Sequence, residues 1–133
     1  MGKISLKEGI ALNQNFVNTR SAAIDKAIGK KDALSSWFSI EELKEYINYV
    51  EKEGEAKGIN INGIRVYFGA YSKNIKNEEK NNLSTVFLVP TKLDRQGEMQ
   101  KDGLKSSENP DVEDIDGLND GGLGNPPSST YPQ

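Results

Sequence analysis

In residues 61–72, INGIRVYFGAYS, apolar and polar side chains alternate with a period of two. Ile64, Val66, Phe68 and Ala70 fall on one side of an extended chain, and Arg65, Tyr67, Gly69 and Tyr71 on the other, the pattern of a half-buried strand. Residues 83–91, LSTVFLVPT, are apolar almost throughout and predict a second strand. Pro90 has no N–H to give a ladder, so it ends that strand or holds it at an edge. The polar stretch between them, SKNIKNEEKNN, is too long for a tight hairpin. Ile59–Ile61 offers a short extension, and a partner subunit could extend the sheet further.

Working toward the N-terminus, residues 37–43 read WFSIEEL. Ser39 and Glu42 have the spacing of a capping box, with Phe38 and Leu43 placed as a hydrophobic staple, which predicts a helix from Ile40. Ile40, Leu43, Ile47 and Val50 share one face of it, and charged residues solvate the other; the pattern fades at Gly54 and ends by Gly58. A first helix is predicted over 5–28, where Ile10, Val17 and Ile24 recur every seven residues, Ser5 and Glu8 can cap, and Gly29 can stop it. Its middle is rich in amides, at Asn13, Gln14, Asn15 and Asn18.

The order helix, helix, strand, strand predicts an α+β domain, with two helices packed on one face of a small antiparallel sheet and an extended acidic tail behind it. The expected core is Ile10, Val17, Ile24, Trp37, Leu43, Ile47, Val50, Ile64, Val66, Phe68, Phe87 and Val89.

Composition breaks near residue 95. Residues 1–95 hold 15 Lys/Arg against 12 Asp/Glu, whereas residues 96–133 hold 2 against 8 and are rich in Gly, Pro, Ser and Asn. This division predicts a mildly basic folded domain at 1–95 and an acidic tail at 96–133, mobile unless anchored. Sparse apolar residues, Leu104, Val112, Ile115, Leu118, Leu123 and Tyr131, are spaced like single anchors. Ile115 and Leu118 are the ones expected to hold the tail to the body or to a neighbour. On this reading the tail can be deleted at a cost of no more than about 1–2 kcal/mol.

The chain has no His and no Cys, which removes imidazole bases, thiolate nucleophiles, disulfides and the usual zinc and iron ligands. Glu41, Glu42 and Glu45 lie on a solvent face, where nothing tunes a carboxylate. Gly58, Gly63 and Gly69 make no phosphate-loop spacing, and Ser35, Ser36 and Ser72 have no base. In DVEDIDGLNDGG, setting Gly117 at the sixth position of a calcium loop puts Val112 first and Leu123 twelfth, so both ends fail. Asp114, Asp116, Asn119 and Asp120 offer only a weak cation site. No catalytic residue, metal or cofactor is expected. The N-terminal residues lack an apolar signal core and no stretch has the length of a membrane span, so a cytoplasmic location is expected.

Interaction residues are easier to nominate. Arg65, Tyr67 and Tyr71 share a strand face suited to stacking on single-stranded nucleic acid, but the small net charge argues against that partner. Trp37 beside Phe38 is either core or an interface anchor. The segments WFSIEEL, GIRVYFGAY and VPT, over residues 37–91, together with the GLNDGG tail, resemble a family of small bacterial proteins. That family's recurring features are a Trp-Phe-Ser helix start, a Gly-Ile-Arg-x-Tyr-Phe-Gly strand and a Val-Pro-Thr strand end. The resemblance implies no activity and transfers no site residue; some relatives carry Cys in the tail, which this chain does not. The expected function is a non-enzymatic protein-interaction or regulatory module, binding another protein or itself through Trp37, Arg65, Tyr67, Tyr71, Ile115 or Leu118. A nucleic-acid binder, and a small-ligand protein or minor enzyme, are the alternatives.

Overall fold

The computed structural model describes residues 1–93, 108–119, 122–123 and 127–133. It is an α+β fold with two helical stretches and a small antiparallel sheet. The first stretch begins where Ser5 Oγ accepts from the Glu8 N–H at 3.1 Å. Helix α1, Leu6–Phe16, runs through a π-helical turn at Val17–Ser21 into α2, Ala22–Ile28. The periodicity of residues 5–28 gave no sign of this turn. Strand β1 is the short Ser36–Trp37. Helix α3, Ile40–Lys57, starts as its capping residues dictate, with Ser39 Oγ accepting from the Glu42 N–H at 2.9 Å. Both helical stretches stop at a glycine in the left-handed region, Gly29 at φ 74° and Gly58 at φ 69°, where a side chain would be strained.

Strands β2, Ile61–Ala70, and β3, Ser84–Lys92, pair with each other. The Tyr71 N–H donates to Leu83 O at 3.0 Å, and the Tyr67 ring lies against Phe87; both contacts fit one antiparallel register. Successive residues of a strand turn their backbone groups to opposite edges. The odd-numbered residues of β2 therefore face β3, and the even-numbered ones face away. On its other side β3 receives residues 110–118. Leu88 and Leu118 exchange both bonds at 2.8 Å, Val112 N–H donates to Pro90 O at 2.9 Å, and Lys92 N–H donates to Pro110 O at 3.0 Å. Pro90 cannot return a bond to Val112, and past that point residues 113–117 leave the ladder before it resumes at Leu118. A Cβ on Gly117 would sit 2.9 Å from Leu88 O, so only glycine lets the backbone return this closely.

Contacts divide the chain into two compact units. One comprises Phe38–Phe68 and Val86–Asp120; the other comprises Met1–Trp37, Gly69–Thr85 and Gly121–Gln133. Each draws on residues from both sides of position 95. Leu104, Asp120 and the boundary at residue 95 lie outside the described residues.

The first unit has an apolar core of Tyr46, Val50, Leu88, Val112 and Ile115, with Phe38, Leu43, Ile59, Ile61, Ile64 and Leu118 packed around it. Val50, Leu43 and Ile64 were expected there. Ile47, Val66, Phe68 and Phe87 were also expected and are instead exposed. The reason is geometric: α3 buries Tyr46, Val50 and Gly54, spaced by four, and meets the sheet at Ile61 and Ile64. Val66 and Phe68, further along β2, are not among the residues packed on this core. Val112 and Ile115 fill the space where those side chains were expected, and burying each large side chain contributes about 1.5–3 kcal/mol.

The second unit is held differently. Its buried residues are Ala33, Leu83, Ser21 and Asp32, while Ile10, Val17 and Ile24 are half-buried. Both carboxylate oxygens of Asp32 are taken by Ser84, one from its N–H at 2.6 Å and one from its hydroxyl. The Leu34 N–H donates to Pro127 O at 2.9 Å. The Tyr131 N–H donates to Asn13 Oδ1 at 3.0 Å, which gives one of the amides in the middle of the first helical stretch a partner. Strand β1 pairs antiparallel with β4, Gly122–Leu123, and this leaves Trp37 66% exposed. Trp37 is therefore not a core residue.

Candidate functional site

The odd-numbered face of β2 carries Arg65 and Tyr67, and residue 111 closes over both. Asp111 forms an ion pair with the Arg65 guanidinium and accepts from the Tyr67 hydroxyl with its other oxygen. Arg65 Nη2 also donates to Glu108 O at 3.3 Å. The Tyr67 ring stacks on Phe87, with centroids 5.4 Å apart and planes 18° from parallel. The hydrogen bond from Tyr67, then the Arg65 cation, hold the Asp111 carboxyl below its ordinary range. The same contact with Asp111 raises both Tyr67 and Arg65. The face is thus neutralised from within: the cation a phosphate would seek already has a carboxylate, and one side of the stacking surface is occupied by Phe87.

The other nominated residues do not join this cluster. Tyr71 belongs to the second unit, where the Lys80 ammonium lies 5.9 Å from its ring centroid. Trp37 is in that unit too. Ile115 is buried and Leu118 half-buried within the apolar core, so these two anchors hold residues 112–118 to α3 and β3. Two residues that organise the first unit were not nominated. Asp111 binds both Arg65 and Tyr67. The Tyr46 hydroxyl donates to Leu88 O at 3.2 Å and to Asp116 O at 2.9 Å, tying α3 to β3 and to the tail. Burial, then the neighbouring Tyr49 and Asp116, push that hydroxyl up to about 12. Tyr46 was legible as the i−4 neighbour of Val50; Asp111 had no signal beyond lying in an acidic run.

The even-numbered side of β2 is open. Val66 is 53% and Phe68 89% exposed. Among the described residues no strand lies along the edge to which their backbone groups point. No proline or lysine interrupts residues 64–70, although these are the residues that normally blunt an exposed edge. Beside this edge, Ile47, Val50, Glu51, Ile61 and Ile64 line a groove of about 280 Å³.

Among the described residues no group of three or more acidic side chains converges as a metal site. Of the residues offered for a weak cation site, Asp116 O accepts from Tyr46 and Asn119 Nδ2 donates to Val86 O at 2.8 Å. No described helix is long and apolar enough to cross a membrane. Compared with protein-family models, with curated proteins and with solved structures, the chain matches none.

Proposed function

We propose that this chain is a non-enzymatic protein-interaction module that accepts a further strand on the open edge of β2, supplied by a second copy of itself. The observation that supports the reading is Phe68, 89% exposed near the end of a strand whose outward edge carries no other strand among the described residues. A strand of this kind gains backbone hydrogen bonds and apolar burial when another is added. The strand is also complementary to itself. Antiparallel pairing about a two-fold axis at Tyr67 sets Val66 of one copy beside Phe68 of the other, twice over. Such aromatic–branched pairs contribute roughly 0.2–1 kcal/mol each, and a closed two-fold contact uses the same patch on both copies. A sheet this small gains most from extension.

Sedimentation equilibrium over a range of concentrations tests this. The wild type should dimerise, and Val66→Lys/Phe68→Lys should be monomeric with an unchanged far-ultraviolet spectrum. A wild type that stays monomeric throughout overturns the assignment of a second copy. The nucleic-acid alternative needs Arg65 released from Asp111. It forecasts that Asp111→Asn raises affinity for a single-stranded oligonucleotide in a steeply salt-dependent way. A hydrolase and nucleotide-turnover screen addresses the enzymatic alternative: robust activity lost on a single point substitution would refute the non-enzymatic reading.

A further inference from the structure

Alternation places Val66 and Phe68 on the same face of β2 as Ile64. Ile64 packs on the core to which α3 contributes Tyr46 and Val50. The exposed pair therefore stands on the face that α3 covers, further along the strand than the helix reaches. Between α3 and β2 runs the groove of about 280 Å³, lined by Ile47, Val50, Ile61 and Ile64. Val50 is fully buried there, whereas Ile47 is 44% exposed. An exposed aromatic ring and an open apolar groove thus share one face, one strand and one compact unit.

Pairing two copies of β2 about the axis at Tyr67 decides what meets that groove. In this register Phe68 of the second copy stands opposite Val66, and Ala70 of the second copy opposite Ile64. A diagonal neighbour across a pair of strands lies at about 7–8 Å, within reach of an aromatic side chain. The incoming Phe68 has two such neighbours on its face. One is Ile64, at the groove; the other is Phe68 of the first copy, across the axis. Only the Ile64 side offers further apolar side chains, Ile47 and Ile61, to enclose the ring.

Area favours the same seat. Stable protein contacts bury about 1,200–2,000 Å² in total. Two phenylalanine side chains supply about 300–500 Å² of that when both are enclosed. Resting on the strand edge alone, each ring would keep its outer side in water. An aromatic anchor inserted in an apolar recess is also the arrangement that concentrates binding energy at an interface.

We infer that Phe68 of each copy is the anchor of self-association, seated in the groove between α3 and β2 of the other copy against Ile47, Ile61 and Ile64. The inference rests on the pairing of β2 edges proposed above and adds the receptor for the ring.

The direct test is an isotope-filtered nuclear Overhauser measurement on a mixture of labelled and unlabelled full chain, which reports contacts between copies only. The Phe68 ring should contact the methyl groups of Ile47 and Ile64. Ring contacts confined to Val66 and to the other Phe68 would overturn the groove and leave the paired edge standing; a chain that stays monomeric overturns both. Sedimentation equilibrium gives a second reading. Ile47→Ala removes an exposed side chain and suits a helix, so the monomer should keep its fold. It should weaken association about tenfold, because a two-fold contact loses the same group twice. In a Phe68→Val background, where the strand can still pair but the groove stays empty, Ile47→Ala should change association by less than about twofold. Leu12→Ala, an exposed truncation on α1, should leave association unchanged. Equal losses from Ile47→Ala in both backgrounds, or an equal loss from Leu12→Ala, would overturn the inference.

Discussion

The two compact units of this chain use different means to the same end. Around α3, apolar side chains from a helix, a strand and residues 112–118 meet in one core. Around α1 and α2 the apolar stripe is only half-buried, and beside the buried Ala33 and Leu83 stand two buried polar residues, Ser21 and Asp32, the aspartate held by the bonds that Ser84 makes to it. Apolar burial is non-directional and adds up by area. A buried carboxylate depends on each partner being in place, because an unpaired one is costly. The first unit should therefore yield gradually to packing changes, and the second abruptly to loss of single hydrogen bonds.

The largest effect should come from the residues expected to matter least. Deleting residues 108–133 removes Val112 and Ile115 from the core, and we expect α3 and β3 to lose their amide-exchange protection altogether. Ile115→Ala alone should cost about 2–5 kcal/mol, read as faster exchange at Tyr46, Val50 and Leu88. A deletion variant that keeps full protection in α3 would return the tail to the role of removable appendage and break the contrast at its strong end.

Next in size is the polar latch. Asp32→Ala leaves the Ser84 N–H and hydroxyl without their acceptor, at about 1–3 kcal/mol. The expected signature is local: exchange should rise at Ser84, Ala33 and Leu34 while the amides of α3 hold. If Asp32→Ala is neutral, the second unit does not rest on this aspartate.

The contrast also explains what could be read in advance. Helix starts at Ser5 and Ser39, stops at Gly29 and Gly58, and the alternation of β2 were legible because each is written within a few neighbouring residues. The partners of those elements were not. Val66 and Phe68 have the spacing of core positions, and only the reach of α3, which meets β2 at Ile61 and Ile64, leaves them outside. Ile115 and Val112 sit in a segment whose average composition argues for disorder, yet two side chains in a row of acids suffice when a strand edge and a helix wait for them. The pairing of Asp111 with Arg65 and Tyr67 joins residues more than forty apart, and so does that of Asp32 with Ser84.

A smaller effect tests the hydrogen bonds within the apolar unit. Tyr46→Phe should cost about 1 kcal/mol, since Leu88 O keeps its bond from Leu118 and only Asp116 O loses its donor. The hydroxyl is raised from 10.0 to about 12 in the fold. Its contribution is therefore complete below pH 10 and is lost as pH climbs from 10 to about 12, where the unfolded chain ionises first. Denaturant titrations should show Tyr46→Phe losing less stability than the wild type over that interval. Parallel losses would mean that the hydroxyl is not held as described.

The smallest effect should fall on the open edge. Val66→Thr and Phe68→Thr keep residues that favour strands and remove apolar surface that is already in water. At concentrations where the chain is monomeric, each should change stability by no more than about 0.5 kcal/mol, the range of surface substitutions. Self-association, measured on the same samples at higher concentration, should fall steeply. These two measurements separate the roles an exposed phenylalanine can have. A cost of about 2 kcal/mol or more in the monomer would make Phe68 part of a core, and the apolar unit would then extend along the whole of β2. Unchanged stability together with unchanged association would leave the edge unoccupied and remove the basis for a second copy there. Only a silent monomer combined with a weakened dimer fits a strand that buries its inner end at Ile61 and Ile64 and keeps Val66 and Phe68 for a partner.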